Sequence, residues 1–293
     1  MAEHPSSVSA EARYLQLLDA QRDRWPSDAQ FQHWRHHYAA EIDRGTYIRD
    51  TLEQYVSVDM ARARVLDVGC GDCGVPVALA RAGARVSAVE PDPGSIGRGA
   101  YRIRQHQVPV ELCRGVAEDL PFAAARFDVV ILDNVLEHVH DRETTLAELR
   151  RVLKPGGLLY LVTPKPLAML SLWSDPHYGF AGLVLMPRAL QRWYVESARG
   201  LGEGSYGVGR IPTRRWLRRA LSRHGFTVVA DPRQLWIDYL RSRLTTPAEL
   251  RTPFKRRLGR LLKRHTWVFE SEPLRLLFDL ALGSNYFVAR RAK

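Results

Sequence analysis

Apolar positions set the first pattern in this chain. Phe31, Trp34, Tyr38 and Ile42 recur at helical spacing behind the start signal Pro26-Ser27-Asp28, so residues 9–58 are predicted to be helical. From Arg64 the period changes. Short apolar runs at Arg64–Val68, Arg85–Val89, Val110–Cys113, Phe127–Leu132 and Leu158–Val162 read as strands, and Pro109 stands where a missing N–H is tolerated. Helices are predicted between them at about Val75–Ala82, Ser95–Gln105 and Arg142–Val152. Strands alternating with helices imply a parallel, doubly wound α/β sheet with right-handed crossovers. After Thr163 the alternation stops. Residues 164–210 read as an insertion, Thr213–His224 as a helix, Thr227–Ala230 as a sixth strand, 231–283 as a second insertion and Tyr286–Ala289 as the last strand. The predicted organisation is an N-terminal helical cap over 1–60, a core over 61–163, and a remainder over 164–293 that completes the sheet and carries both insertions.

Composition narrows the setting. With 45% hydrophobic residues in 293, the chain can bury a sizeable core. The first residues lack the basic and apolar regions of a secretory signal, and the longest apolar runs are too short to span a bilayer. Three cysteines do not suggest a disulfide framework, so a cytoplasmic protein is expected. The net charge of +11 is uneven: residues 184–293 hold 23 Lys+Arg against 8 Asp+Glu. Such asymmetry fits an anionic partner, whether nucleic acid, membrane or carrier, and equally a solvated basic surface. Within it, residues 254–265 read as a basic amphipathic helix suited to an anionic membrane or carrier, or to ordinary packing on the core.

Candidate chemistry begins where strand one ends, in Asp67-Val-Gly69-Cys-Gly71-Asp-Cys-Gly74. Ligands of open α/β sheets sit at the carboxyl ends of strands, glycines let the backbone approach them, and a helix start offers free N–H groups. Glu90 ends strand two, where an acid can chelate a ribose diol. These two features alone fit a dinucleotide equally well. Three more separate the readings. Asp67, two residues before the first glycine, suits the cationic amino group of a methionine moiety, whereas a pyrophosphate gives no reason for it. Gly115-Val-Ala-Glu118-Asp119-Leu-Pro-Phe122 follows strand three, where an adenine edge would lie. Leu136-Glu-His138-Val follows strand four, and Leu153-Lys-Pro-Gly-Gly157 leads into strand five.

The motifs VLDVGCGDCG, AVEPD, AEDLPF, FDVVILDNVLEHV and LKPGG, in this order over roughly 62–163, resemble the class I S-adenosylmethionine-dependent methyltransferase superfamily, in the group with small-molecule and quinone methyltransferases. The resemblance implies a Rossmann-like, seven-stranded methyltransferase sheet and S-adenosylmethionine as cofactor. It implies that Gly69, Cys70 and Gly71 line the methionine part and that Asp67 stabilises the turn or meets the amino group. Glu90 would hold the ribose, Ala117 and Glu118 would edge the adenine, and Asp133 and Asn134 would lie beneath the reacting methyl. Val116 stands where the family often has an acid. Arg44, upstream of the first strand, would hold the cofactor carboxylate.

Methyl transfer from a sulfonium needs an in-line, dry approach, and a base only when the acceptor must lose a proton. His177 is the leading base candidate, oriented by Asp175 or Tyr178, in the segment Trp173-Ser-Asp175-Pro-His177-Tyr178-Gly-Phe180. A loop clasp built from the same residues is the alternative. His138 reads as structural, and Cys70-x-x-Cys73 as part of the turn rather than a redox or zinc site; no metal is expected. Phe31, Trp34, His37, Tyr38 and Tyr47 either cap an acceptor pocket or form the inner face of a helix. The turn Asp133-Asn-Val-Leu136 lacks the Pro-Pro-aromatic pattern of enzymes that methylate base amines. The expected activity is methylation of a small-molecule hydroxyl on a sugar, phenol, quinone or lipid-linked intermediate. The alternatives are an RNA methyltransferase using the basic C-terminal third, and a non-catalytic S-adenosylmethionine-binding protein.

Overall fold

The computed structural model describes residues 9–25, 27–165, 182–198, 207, 211–245, 271 and 284–293. Seven strands form one sheet: β1 (Arg64–Val68), β2 (Arg85–Glu90), β3 (Val110–Arg114), β4 (Phe127–Asp133), β5 (Leu153–Pro164), β6 (Phe226–Val228) and β7 (Ser284–Arg291). Their order is β3-β2-β1-β4-β5-β7-β6. The first five run parallel, and β7 lies antiparallel between β5 and β6. The strand order reverses between β1 and β4, so the ligand crevice of such a sheet opens outside their carboxyl ends.

Helices cover both faces, which is why β1 and β4 read as largely apolar runs, interrupted by Asp67 and Asp128, rather than alternating ones. On one face Leu66, Val130, Leu132 and Leu159 pack with Leu149 of α6 (Arg142–Val152) and Leu217 of α8 (Arg214–Arg223). On the other, Val65, Val129, Ile131 and Tyr160 pack with Ile48 and Leu52 of α3 (Glu41–Val56) and Leu79 of α4 (Gly74–Arg81). Gly45 allows this close approach: a Cβ there would sit 2.7 Å from the Ala78 Cβ. The remaining helices are α1 (Ala10–Asp19), α2 (Asp28–Ala39), α5 (Pro93–His106), α7 (Arg188–Trp193) and α9 (Pro232–Thr245).

Local chemistry fixes the helix starts. Ser9, Ser27, Asp92, Asp141 and Thr213 each accept a hydrogen bond from a first-turn N–H, and Pro93 fills the position where a proline costs no bond.

Three expected boundaries shift, two of them because of backbone pairing. β5 starts at Leu153 rather than Leu158, because Leu153 pairs with Phe127 across an irregularity in β4. β7 extends through Arg290 and Arg291, because β5 and β6 hold it from both sides. β6 ends at Val228, earlier than expected. The second insertion also begins inside the fold: Leu235 of α9 packs in the core, the Tyr47 hydroxyl donates to the Leu235 carbonyl at 3.0 Å, and Tyr239 stacks near Tyr286. Within the first insertion, Leu183 and Val195 form a small buried cluster of their own. The predicted basic helix over 254–265 lies outside the described residues. No helix among the described residues is long and apolar enough to cross a membrane.

Candidate active site

The chain leaves β1 through a tight turn that the backbone itself pins. The N–H groups of Gly69 and Cys70 donate to the Val89 carbonyl at 2.8 and 3.1 Å. Gly69 has φ of +73°, and a Cβ there would lie 2.4 Å from Val135 Cγ2. Gly69→Ala is therefore expected to cost about 1–3 kcal/mol of stability, from the left-handed backbone and the collision together; urea denaturation checks it, and an unchanged midpoint would refute it.

Two carboxylates hold the turn open. Glu90 accepts the Gly71 N–H and the Asp92 N–H, each at 3.0 Å. Glu41, reaching in from α3, accepts the Gly74 N–H at 3.0 Å and one guanidinium N–H of Arg102 at 3.0 Å. Asp67 does not join the turn. It is 3% exposed, and among the described residues it accepts no hydrogen bond and has no cation within ion-pair reach. Its carboxylate instead lines a cavity of about 280 Å³ together with Glu41, Glu90, Asp133, Gly69 and Arg44.

That cavity is strongly acidic. Burial, together with the Asp133 and Glu41 carboxylates, pushes Asp67 well above the ordinary aspartate range. Burial also raises Asp133 and Glu90. Arg44 is the arginine of the wall: its guanidinium stands 3.6 Å from Asp133, which keeps it protonated against the cost of burial. Asn134 donates to Asp133 at 2.9 Å and itself adopts φ of +57°. His37, Tyr38 and His138 close the rim, and His138 Nδ1 lies 3.1 Å from the Gly207 carbonyl.

Behind the turn lies a second polar layer. The Tyr14 hydroxyl and Arg98 Nε both donate to Asp72 Oδ2 at 2.7 Å, and the Arg98 guanidinium sits 5.5 Å from the ring centroids of Trp34 and Tyr38. Arg102 is fully buried. It donates to Glu41, to the Tyr38 carbonyl at 3.2 Å and to Glu11 of α1, with its guanidinium 3.9 Å from the Tyr14 ring centroid. The N-terminal helices are thus tied to the glycine turn through buried charges.

The structure brings most of the sequence candidates together. Asp67, Gly69, Cys70, Gly71, Glu90, Asp133, Asn134 and Arg44 all line the one cavity. Ala117 and Glu118 do not. Ala117 is packed in the core, and the Glu118 carboxylate accepts the His140 N–H at 2.7 Å, so its side chain is engaged away from the cavity. Of the aromatic cluster, His37 and Tyr38 reach the rim, whereas Tyr47 is turned towards α9. Cys70 and Cys73 are buried thiols with their sulfurs 3.6 Å apart. His177, Asp175 and Tyr178 lie outside the described residues. Among the described residues, no group of three His, Cys, Asp or Glu side chains is arranged to hold a metal ion.

A family model described as a methyltransferase domain matches residues 66–161. The chain carries a class I S-adenosylmethionine-dependent methyltransferase domain. Its sequence is similar to the ubiquinone biosynthesis O-methyltransferase of Rhizobium leguminosarum bv. trifolii (strain WSM2304), 34% identical over 126 residues that cover 41% of this chain and 50% of that protein. The chain thus spans about half the length of the curated relatives it matches. Two solved structures share the methyltransferase fold. One is an S-adenosylmethionine-dependent methyltransferase from Mesorhizobium loti, with TM-score 0.51, 16% identity and coverage of 83% of this chain and 96% of that one. The other is geranyl diphosphate C-methyltransferase from Streptomyces coelicolor A3(2), with TM-score 0.51, 19% identity and coverage of 83% and 74%.

The methyltransferase domain's cofactor fits what this cavity offers. S-adenosylmethionine carries a sulfonium and an ammonium, and Asp67 is a nearly buried carboxylate that makes no ion pair among the described residues, the nearby Arg44 being paired with Asp133. The glycine turn keeps the wall free of side chains where a ligand must come close.

Glu41, Asp72, Arg98 and Arg102 were not foreseen from sequence. One signal was present for Arg102. On α5 the buried positions are Ser95, Gly99 and Arg102, so an arginine falls on the inward stripe, where an arginine is almost never found unless paired.

Proposed function

We propose that the chain transfers the methyl of S-adenosylmethionine to a hydroxyl oxygen of a small-molecule acceptor such as a phenol, quinol, sugar or lipid-linked intermediate. The observation that carries this reading is Asp67, a nearly buried carboxylate that makes no ion pair or hydrogen bond among the described residues, facing a cavity at the carboxyl end of β1 whose arginine, Arg44, is paired with Asp133. In this reading Asp67 meets the cofactor's ammonium, Arg44 its carboxylate and Glu90 the ribose hydroxyls, while Gly69, Cys70 and Gly71 border the methionine chain. Asp133 and Asn134 then sit beside the reacting carbon. The bound cofactor supplies the electrophilic methyl. The chain's own task is to orient it, exclude water and accept the acceptor's proton where one must leave. His177, with Asp175 or Tyr178, is proposed for that proton. The O-methyl preference is supported by the curated relative's printed activity, and the C-methyltransferase of similar fold shows that the fold leaves the acceptor atom open.

Calorimetric titration with S-adenosylmethionine, S-adenosylhomocysteine and NADH tests the cofactor. Micromolar binding of the first two with none of NADH is expected, and NADH binding alone would overturn the reading. Labelled-methyl transfer to a panel of phenols, quinols and sugars then tests the acceptor class. Labelling of RNA instead, lost as salt is raised, would replace it with the nucleic-acid alternative.

A further inference from the structure

Asp72 belongs to the glycine turn but does not line the cavity, although its neighbour Gly71 does. Its side chain is fully buried. The backbone on both sides of it is left-handed, with φ of +53° at Gly71 and +62° at Cys73. A non-glycine residue is held in that region at a cost, so the shape of the turn depends on what grips it from outside.

The grip comes from two helices. The Tyr14 hydroxyl of α1 and the Arg98 Nε of α5 both donate to Asp72 Oδ2 at 2.7 Å. Among the described residues Asp72 Oδ1 is buried without a hydrogen-bond partner, so these two donors carry the hydrogen-bonded hold on the carboxylate. Arg98 also donates to Ser95 Oγ at 3.0 Å, and its guanidinium lies 5.5 Å from the ring centroids of Trp34 and Tyr38 of α2. Gly71, Tyr38 and Ser95 line the cavity, whereas Tyr14, Asp72 and Arg98 do not. Three parts of the wall therefore converge on a carboxylate that stands behind it.

We infer that Tyr14 is a positioning residue for the cofactor: through Asp72 it fixes the glycine turn so that the Gly71 N–H holds Glu90 in place for the ribose hydroxyls. This rests on the reading of the cavity as a cofactor site and extends it to a helix that contributes no lining residue. The route is short. Gly71 adjoins Asp72, and its N–H donates to Glu90 Oε2 at 3.0 Å. Once Asp72 is released, the strained turn relaxes and the Gly71 N–H turns away from Glu90. The carboxylate then keeps only its Asp92 N–H, bonded at 3.0 Å, and is no longer fixed to meet both hydroxyls at once.

The hydroxyl, not the ring, is the group that acts. The Tyr14 ring packs against the Arg102 guanidinium, which lies 3.9 Å from its centroid, and phenylalanine would keep that contact. Tyr14→Phe thus removes one bond to Asp72 and leaves the packing of α1 in place. Leu18, also fully buried on α1, supplies the matching control. Leu18→Ala loosens the packing of the same helix and keeps the bond between Tyr14 and Asp72.

The decisive measurement is the dissociation constant of S-adenosylmethionine by calorimetry, with the melting temperature of each variant taken alongside. Tyr14→Phe should weaken binding about threefold to tenfold, the loss expected from one hydrogen bond to a buried carboxylate. Leu18→Ala should lower the melting temperature and keep wild-type affinity. Asp72→Ala should weaken binding further, and adding Tyr14→Phe to it should change the affinity no more, because the hydroxyl then has nothing to act through. Wild-type affinity in Tyr14→Phe, an equal loss in Leu18→Ala, or additive losses in the double variant would overturn this inference and leave the cofactor assignment intact. Tyr14→Phe and Leu18→Ala decide it by themselves should Asp72→Ala not fold. Failure of the wild-type protein to bind would overturn the cofactor assignment and this inference with it.

Discussion

Replacing Glu90 by alanine is expected to weaken S-adenosylmethionine binding by roughly tenfold to several hundredfold. A hydrogen bond to a charged group contributes about 1.5–3 kcal/mol, and each 1.4 kcal/mol is a factor of about ten in affinity. The carboxylate does two things at once. It spans the turn by accepting the Gly71 and Asp92 N–H groups, and it borders the cavity where a ribose diol would lie. Glu90→Gln separates these roles, since the amide can still accept one N–H but offers no charge to a diol. Calorimetric titration of both variants checks the expectation. Wild-type affinity in Glu90→Ala would remove Glu90 from the cofactor site.

The largest effect on stability is expected at Arg102. Its guanidinium is fully buried and joins Glu11 of α1, the Tyr38 carbonyl at the end of α2 and Glu41 of α3 to α5. Arg102→Leu leaves Glu41 buried with its nearest cation gone and takes one donor from the Tyr38 carbonyl. Breaking a buried pair from one side costs about 3–5 kcal/mol, because the surviving charge stays desolvated. The melting temperature should fall by on the order of 10 °C for a chain of this size. Arg102→Lys keeps the charge but not the fork and should recover only part of the loss. A melting temperature within a degree or two of wild type in Arg102→Leu would show that the N-terminal helices are held by apolar packing alone.

Much of this was legible in the chain, and what was not has a common physical origin. The strands and helices between Arg64 and Val162 could be read because a parallel sheet covered on both faces writes itself as short apolar runs between amphipathic helices. The glycine turn, Glu90 and Asp133 could be placed because their positions at strand ends need no tertiary knowledge. Glu41 and Arg102 could not. Their roles exist only because α3 and α5 meet at the turn, and a charged residue in an amphipathic helix reads by default as a solvated one. Glu118 shows the same limit from the other side: the loop after β3 runs where expected, and its carboxylate accepts a backbone N–H before α6, a partner no strand or helix pattern announces. The ends of β5 and β7 were misjudged because ladder pairing, not hydrophobicity, decides how far a strand runs.

The reversed strand has a consequence for how the molecule assembles. β7 lies between β5 and β6, yet it follows the end of β5 by about 120 residues. Until it arrives, β5 is an open edge, hydrophobic and unpaired on one side, and β6 has no neighbour at all. Closure of so long a loop is slow compared with the local βα units that precede it. The sheet from β3 to β5 should therefore form early and wait, with its exposed edge the place where two half-made copies would stick together. Refolding yield should accordingly fall steeply with protein concentration, and a short peptide carrying the sequence of β7, added in excess, should protect it.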